Sequence, residues 1–243
     1  MTAPVVLDSA QELATTVASR LLSVLASVQA EGRDPHVALT GGTIAEAIHR
    51  EVARLSAGSG VDWTRVHLWW GDERFVEAGS PERNADQARA AFIDAVGVPD
   101  AHVHEVATTE QAADVDAAAA SYAEDVRTHG SGAFDVVMLG VGPDGHVASL
   151  FPGFPQVHVD DAIAVGVTDS PKPPPQRVSL TFPALNRTRA TWFVVSGDGK
   201  AEAVARALDP ASTTLEETPA TGAHGREETV WFLDRDAASR LPG

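Results

Sequence analysis

The chain has 243 residues, 44% of them hydrophobic, and no low-complexity linker divides it, so a single domain spanning 1–243 with one large core is expected. Its formal net charge of −16, from 34 acidic and 18 basic residues, excludes a general nucleic-acid-binding surface. There is no cysteine for a disulfide, a thiolate metal site or a thiol nucleophile, no basic leader, and no apolar run approaching membrane-spanning length; the expectation is a cytoplasmic protein with no membrane partner, monomeric or a small homo-oligomer.

Ser9 followed by Glu12 forms a capping-box pattern, and Leu13, Val17, Leu21, Val24 and Val28 continue at helical spacing, which predicts an amphipathic first helix. A short strand from Val37 to Leu39 leads into Thr40-Gly41-Gly42-Thr43 and a second helix through Ile44, Ala47 and Ile48. The next strand, Val66 to Trp70, ends in Gly71-Asp72-Glu73-Arg74, read as a strand-to-helix loop. A helix from Asn84 carries Ala88, Ala91, Phe92 and Val96, and Val98 to Val106 reads as a short strand region whose His102 and His104 lie at the surface and are not metal ligands. Glu110 to Arg127 is a further alanine-rich helix.

The segment from Phe134 to Gly153 stands apart. A buried strand, Val136 to Leu139, delivers the chain into a turn containing Gly140, Gly142 and Gly145, with Asp144 and His146 at its exit. The three glycines match the dinucleotide fingerprint, but Pro152 and Gly153 end any helix begun at His146 within about two turns, so that match is a coincidence of glycine content. Beyond it, Ala162 to Val167 and Arg177 to Phe182 read as strands joined by the proline-rich surface loop from Asp169 to Gln176. Trp192 to Val195 is a strand that runs into Ser196-Gly197-Asp198-Gly199-Lys200 and a helix through Ala203, Val204 and Leu208. Pro210 to Arg226 is irregular, Thr229 to Leu233 a last strand, and Asp234 to Leu241 a short final helix. His49, His67, His129, His158 and His224 fall in no chemical pattern.

Strands alternating with helices predict an α/β fold: three α/β/α layers around a mainly parallel, Rossmann-like sheet. In such a sheet the strand-to-helix loops leave from the carboxyl edge, so Thr40 to Thr43, Asp72 to Arg74, Gly142 to His146 and Gly197 to Lys200 converge. Together they offer free amides, carboxylates, a guanidinium, an imidazole and an ammonium, the inventory for proton transfer on a phosphorylated substrate. Lys200, with Lys172 one of only two lysines in the chain, sits at a helix start, where the dipole disfavours a cation by ~0.3–1 kcal/mol; a bound anion removes that conflict.

Four segments, GDERFVEAGSPERN, LGVGPDGHVASLFPG, RVSLTFPALN and SGDGKAEAV, closely resemble the signature segments of 6-phosphogluconolactonases, and TGGT resembles that family's first glycine turn without the proline that often follows it. The motifs run in order from about residue 37 to about residue 208. The resemblance implies a hydrolase that opens 6-phospho-D-glucono-1,5-lactone to 6-phosphogluconate in the oxidative pentose phosphate pathway, with no metal and no organic cofactor. It implies His146 as the general base activating water, Arg177 and Lys200 with the amides of Gly41, Gly42 and Thr43 at the phosphate, and Asp72 and Arg74 at the lactone. An oxyanion needs donors, for which Arg74 or amides near Gly142 are candidates. Asp144 or Asp72 orients the imidazole. The rival readings are a glucosamine-6-phosphate deaminase/isomerase and a non-catalytic sugar-phosphate sensor. Deaminases typically continue past the histidine with Phe-Asn-Glu-Pro, whereas this chain has Ser149, Leu150 and Phe151 before Pro152, and Arg74 stands where deaminases commonly carry an aromatic residue. A sensor would carry a DNA-binding module, and no basic helix is present.

Overall fold

The computed structural model describes residues 4–209, 211 and 213–242; the reading of the first three residues, and of Pro210 and Ser212 in the stretch expected to be irregular, lies outside the described residues. The main sheet has six strands, all parallel, in the order β1 (Val5–Leu7), β9 (Glu228–Asp234), β8 (Thr188–Val195), β5 (Phe134–Leu139), β2 (His36–Leu39) and β3 (His67–Trp70). Both of its faces are buried, so alternate side chains of one strand enter different cores. Val37, Leu39, Leu68, Trp70, Val136, Met138, Trp192 and Val194 point to one side, where they meet α1 (Ala10–Ala30), α2 (Thr43–Ser56) and the helix α3 (Asn84–Ala88), which continues through a π-turn into α4 (Asp94–Val96). Ala38, Trp69, Val137, Leu139, Phe193 and Val195 point to the other side, toward α5 (Val115–His129) and α7 (Ala201–Leu208).

The capping box of α1 forms: Ser9 Oγ accepts from the Glu12 amide at 3.2 Å, and the Glu12 carboxylate accepts from the Asp8 amide at 2.8 Å. With 21 residues of largely apolar composition, α1 reaches the length of a membrane span, contrary to the expectation that no segment would. Its Leu13, Val17, Leu21, Leu25 and Val28 are buried in the first of these two cores or beside it, as in a core helix.

Several expectations give way. Asp72–Arg74 is not a strand-to-helix loop but a strand, β4, pairing antiparallel with β7 (Arg177–Leu180), which in turn pairs antiparallel with β6 (Ala164–Val167) in a second, three-stranded sheet. The chain crosses between sheets at Gly71, whose amide donates to Leu39 O and whose carbonyl accepts from Leu180 N, both at 2.9 Å. So the strands expected at 162–167 and 177–182 exist in shortened form, but outside the parallel sheet, with Phe182 already in the short helix α6 (Phe182–Leu185). Asp234 ends β9, and the residues after it form turns and not the final helix; the Asp234 carboxylate accepts from the amides of Gly197 and Ala237 and so ties the end of β9 to the turn after β8. His104 is buried at 6% exposure and not at the surface, and His102 is half-buried beside it; a single bridge between Leu68 and Val103 replaces the strand expected there.

Candidate functional site

β8, β5, β2 and β3 are neighbours in the sheet, and the chain leaving their carboxyl ends lines a cleft of about 560 Å³. Thr40, Gly41, Gly42 and Thr43 come from the end of β2, Gly142 and His146 from the end of β5, and Ser196 and Lys200 from the end of β8. The second sheet supplies Asp72, Arg74 and Arg177 from the opposite wall. Every residue expected at the site therefore lines one cleft, except Asp144, which stands directly behind His146.

His146 Nδ1 lies 2.5 Å from Asp144 Oδ1, so the ring donates Nδ1–H to the carboxylate and turns Nε2 away from it. Burial acts to raise the Asp144 pKa, but the His146 hydrogen bond and charge, with Lys172 nearby, outweigh it and hold the group at about 2. Phe151, buried at 1% exposure, packs against the imidazole with ring centroids 4.6 Å apart. The backbone is shaped to allow this pair. A Cβ at Gly142 would overlap the His146 ring and Asp144 Oδ1, and Gly145, at φ 92°, adopts a conformation that glycine favours. The Gly142 amide donates to His146 O at 2.9 Å, so it closes the turn and is not available as an oxyanion donor. No helix follows Gly145, and Ala148 takes a left-handed φ of 48°. That removes the dinucleotide reading of the three glycines.

The second wall is charged yet buried, because its charges are paired. Asp72 Oδ2 accepts from Ser149 Oγ at 2.7 Å and lies 4.0 Å from Arg177 Nη1. This engages Asp72 away from the imidazole and leaves Asp144 as the carboxylate in contact with it. Arg177 donates through Nε to Pro174 O and through Nη2 to the carbonyls of Lys172 and Pro173, all at 3.2 Å, so the guanidinium fastens the proline-rich loop to the cleft. Glu73 is fully buried and accepts from the amides of Arg74, Asn84 and Ala85 at 2.8 Å each, fixing the start of α3. Its burial outweighs Arg83 and these amides and raises its pKa to about 7.

Sequence reasoning named Lys172 only as one of the two lysines, and missed Asn84 and Ser149 as parts of the site. Lys172 lies in the proline-rich loop and lines the cleft, so both lysines of an acidic chain face the same space. Desolvation, then Lys172, lower the Lys200 pKa, while Asp144 opposes the shift. Rarity of lysine was the signal that could have found Lys172. Asn84 Nδ2 donates to Asp72 O at 3.0 Å, and its Oδ1 is buried without a partner where a Cβ at Gly41 would overlap it. At the start of α2 no side chain caps the helix, and Gly42 takes φ 98°, so the first amides there are unclaimed by an intrahelical acceptor. The cleft thus combines a carboxylate-held imidazole, four cations (Arg74, Lys172, Arg177, Lys200) and free helix amides. Such a site can bind an anionic substrate and move a proton on it.

Comparison with known proteins agrees in extent with this architecture. Residues 8–231 match the family described as glucosamine-6-phosphate isomerases/6-phosphogluconolactonase. A 6-phosphogluconolactonase of Streptomyces coelicolor is 44% identical over 239 residues, covering 95% of this chain and 91% of its own. The crystal structure of 6-phosphogluconolactonase from Thermotoga maritima superposes with a TM-score of 0.82 at 26% identity, covering 96% of this chain and 100% of its own. A monomeric glucosamine-6-phosphate deaminase superposes almost as well, with a TM-score of 0.81 at 20% identity over 98% of this chain and 99% of its own, so the fold alone does not separate the two chemistries.

Proposed function

The chain belongs to the glucosamine-6-phosphate isomerase/6-phosphogluconolactonase family, and from that premise we propose that it hydrolyses 6-phospho-D-glucono-1,5-lactone to 6-phosphogluconate with His146 as the general base. The observation that carries the reading is the His146–Asp144 pair at 2.5 Å, set among four cations in one cleft. With Nδ1–H committed to Asp144, Nε2 takes a proton from water as the water oxygen bonds to the lactone carbonyl carbon. The tetrahedral intermediate carries its charge on the former carbonyl oxygen, and Arg74, which lines the cleft, donates to it. As the ring C–O bond breaks, His146 returns the proton to the departing ring oxygen. One water is consumed and the new carboxylic acid ionises to solvent. Lys200, Lys172 and the amides at the start of α2 hold the phosphate, with the one Arg177 nitrogen left free by the proline-rich loop.

A neutral imidazole suffices because a lactone carbonyl is already electrophilic, and no covalent nucleophile is needed. The deaminase reading meets a chemical obstacle at Phe151: an apolar ring packs against His146 on the segment where a carboxylate would have to assist ring opening. The test is hydrolysis of freshly prepared lactone with EDTA present and the spontaneous rate subtracted, for the wild type and His146→Ala. A loss of ~10²–10⁴-fold in the variant is expected. A folded variant with wild-type turnover refutes the base assignment. Ammonia release from glucosamine 6-phosphate without lactone turnover would replace the substrate class.

A further inference from the structure

At the amino-terminal edge of the sheet, opposite the cleft, five of the nine histidines gather: His36, His67, His102, His104 and His129. His36 and His67 open β2 and β3, and their rings stack with centroids 4.4 Å apart. Among these, His104 and His129 share one carboxylate. Asp125 presents Oδ1 to His129 Nδ1 at 2.6 Å and Oδ2 to His104 Nδ1 at 3.1 Å, and the three donor atoms all lie within 4.8 Å of one another. In a tetrahedral site with metal–ligand bonds of about 2.0–2.1 Å, neighbouring ligand atoms sit about 3.3 Å apart, so small movements bring this trio to a common ion.

We propose that His104, Asp125 and His129 form a binding site for a zinc-like divalent metal ion, independent of the cleft. Two imidazoles and a carboxylate are the donor set that borderline divalent ions select. The support behind the ligands fits as well. Asp125 and His129 are four residues apart on α5 and face the same way, while His104 comes from a separate segment, so an ion would tie the two together. The His104 ring is held flat against Trp69, centroids 3.7 Å apart, and its amide donates to Leu68 O at 2.9 Å. Its second nitrogen, Nε2, lies 3.1 Å from His67 Nδ1. When Nδ1 binds a metal, the ring proton moves to Nε2 and His67 accepts it, the outer partner that metal-bound histidines use. The third ligand faces solvent: the His129 side chain is 59% exposed and Asp125 28%, beside an open depression lined by Glu124 and Thr128, so an ion can enter and a water can complete its coordination.

The test uses the untagged full-length chain, stripped with chelator and titrated with cobalt(II), with zinc retention measured by dialysis and elemental analysis. One ion per chain is expected, with the visible absorption bands of four-coordinate cobalt(II), displaced by zinc. His129→Ala, at an exposed position that leaves the fold intact, should lose affinity tenfold or more; Asp125→Asn should do the same, and His129→Cys should restore binding. His224→Ala, an exposed histidine elsewhere, should bind as the wild type, and lactone hydrolysis should be unaffected by His129→Ala. Failure to retain stoichiometric metal overturns the proposal, as does retention that His129→Ala and Asp125→Asn leave unchanged. Either result leaves the reading of the cleft untouched.

Discussion

Gly142→Ala isolates what geometry contributes to the cleft. The substitution adds one methyl group and changes no charge, and Gly142 is not among the glycines at positive φ, so the backbone accepts alanine. The new Cβ would nevertheless fall inside 3.0 Å of His146 Nδ1, His146 Cε1 and Asp144 Oδ1, whereas ordinary contact begins at 3.4 Å. The ring or its carboxylate must withdraw by on the order of 1 Å, and displacement of that size at a reacting centre costs about 10²-fold in rate, or about 2.7 kcal/mol of transition-state stabilisation. Gly140→Ala is the matched control: its Cβ meets nothing closer than Thr40 Oγ1 at 3.8 Å. Initial rates of lactone hydrolysis, corrected for the spontaneous reaction, should fall about 100-fold for Gly142→Ala and stay near wild type for Gly140→Ala, with similar melting temperatures. Equal activity in the two variants would show that His146 need not be where Asp144 holds it, and the base assignment would fail.

Lys172→Ala and Lys200→Ala should each raise KM for the phosphorylated lactone about tenfold while leaving kcat within about threefold, and neither should alter turnover of unphosphorylated gluconolactone; an equal effect on both substrates would move the lysines away from the phosphate. Asp72→Ala should lower stability by ~3 kcal/mol in chemical denaturation, because it strips the buried Arg177 of its carboxylate partner, and a variant with unchanged stability but no activity would assign Asp72 to the chemistry instead. Glu73, with its pKa raised to about 7, binds a proton more tightly folded than unfolded, so its ionisation subtracts stability as pH rises from about 4.5 through about 7 and levels off above. The wild type should thus lose ~3 kcal/mol relative to Glu73→Gln between pH 4.5 and 8. Parallel stability profiles for the two proteins would refute the raised pKa.

Much of the site was legible because its chemistry sits in short segments: the glycine turn with Asp144 and His146, the Thr40–Thr43 turn and the Ser196–Lys200 turn each follow a strand whose apolar run is unmistakable. What was not legible depended on pairing between distant segments. Asp72-Glu73-Arg74 looks like a solvated loop because three consecutive charges are costly to bury alone. Asp72 and Glu73 are buried because Ser149, Arg177 and the amides at the start of α3 meet them, and none of those partners is adjacent in sequence. The same cause hid the second sheet, since β4 and β7 are too short to announce a sheet of their own. His104 was misplaced because alternation with His102 suggests a strand face, whereas Trp69 and Asp125 draw its ring inward. β1, three residues long, pairs only with the end of the chain and carries no local signal at all.

The charge distribution also bears on turnover. A chain of net charge −16 disfavours a dianionic sugar phosphate nearly everywhere on its surface, and the four cations of the cleft reverse that field locally. Lys172 lies close enough to Lys200 to disfavour the charge of Lys200, and the dipole of α7 adds to that conflict, so a bound phosphate relieves repulsion already present in the free protein. In the proposed reaction the neutral lactone end of the substrate becomes a carboxylate. Asp144 stands behind His146, outside the cleft lining, and at a pKa of about 2 it remains ionised throughout the working range. The phosphate end binds substrate and product alike, because the four cations face the same cleft before and after the ring opens. Asp144 thus holds the base in place through the whole cycle, and this requires no part of the cleft to move.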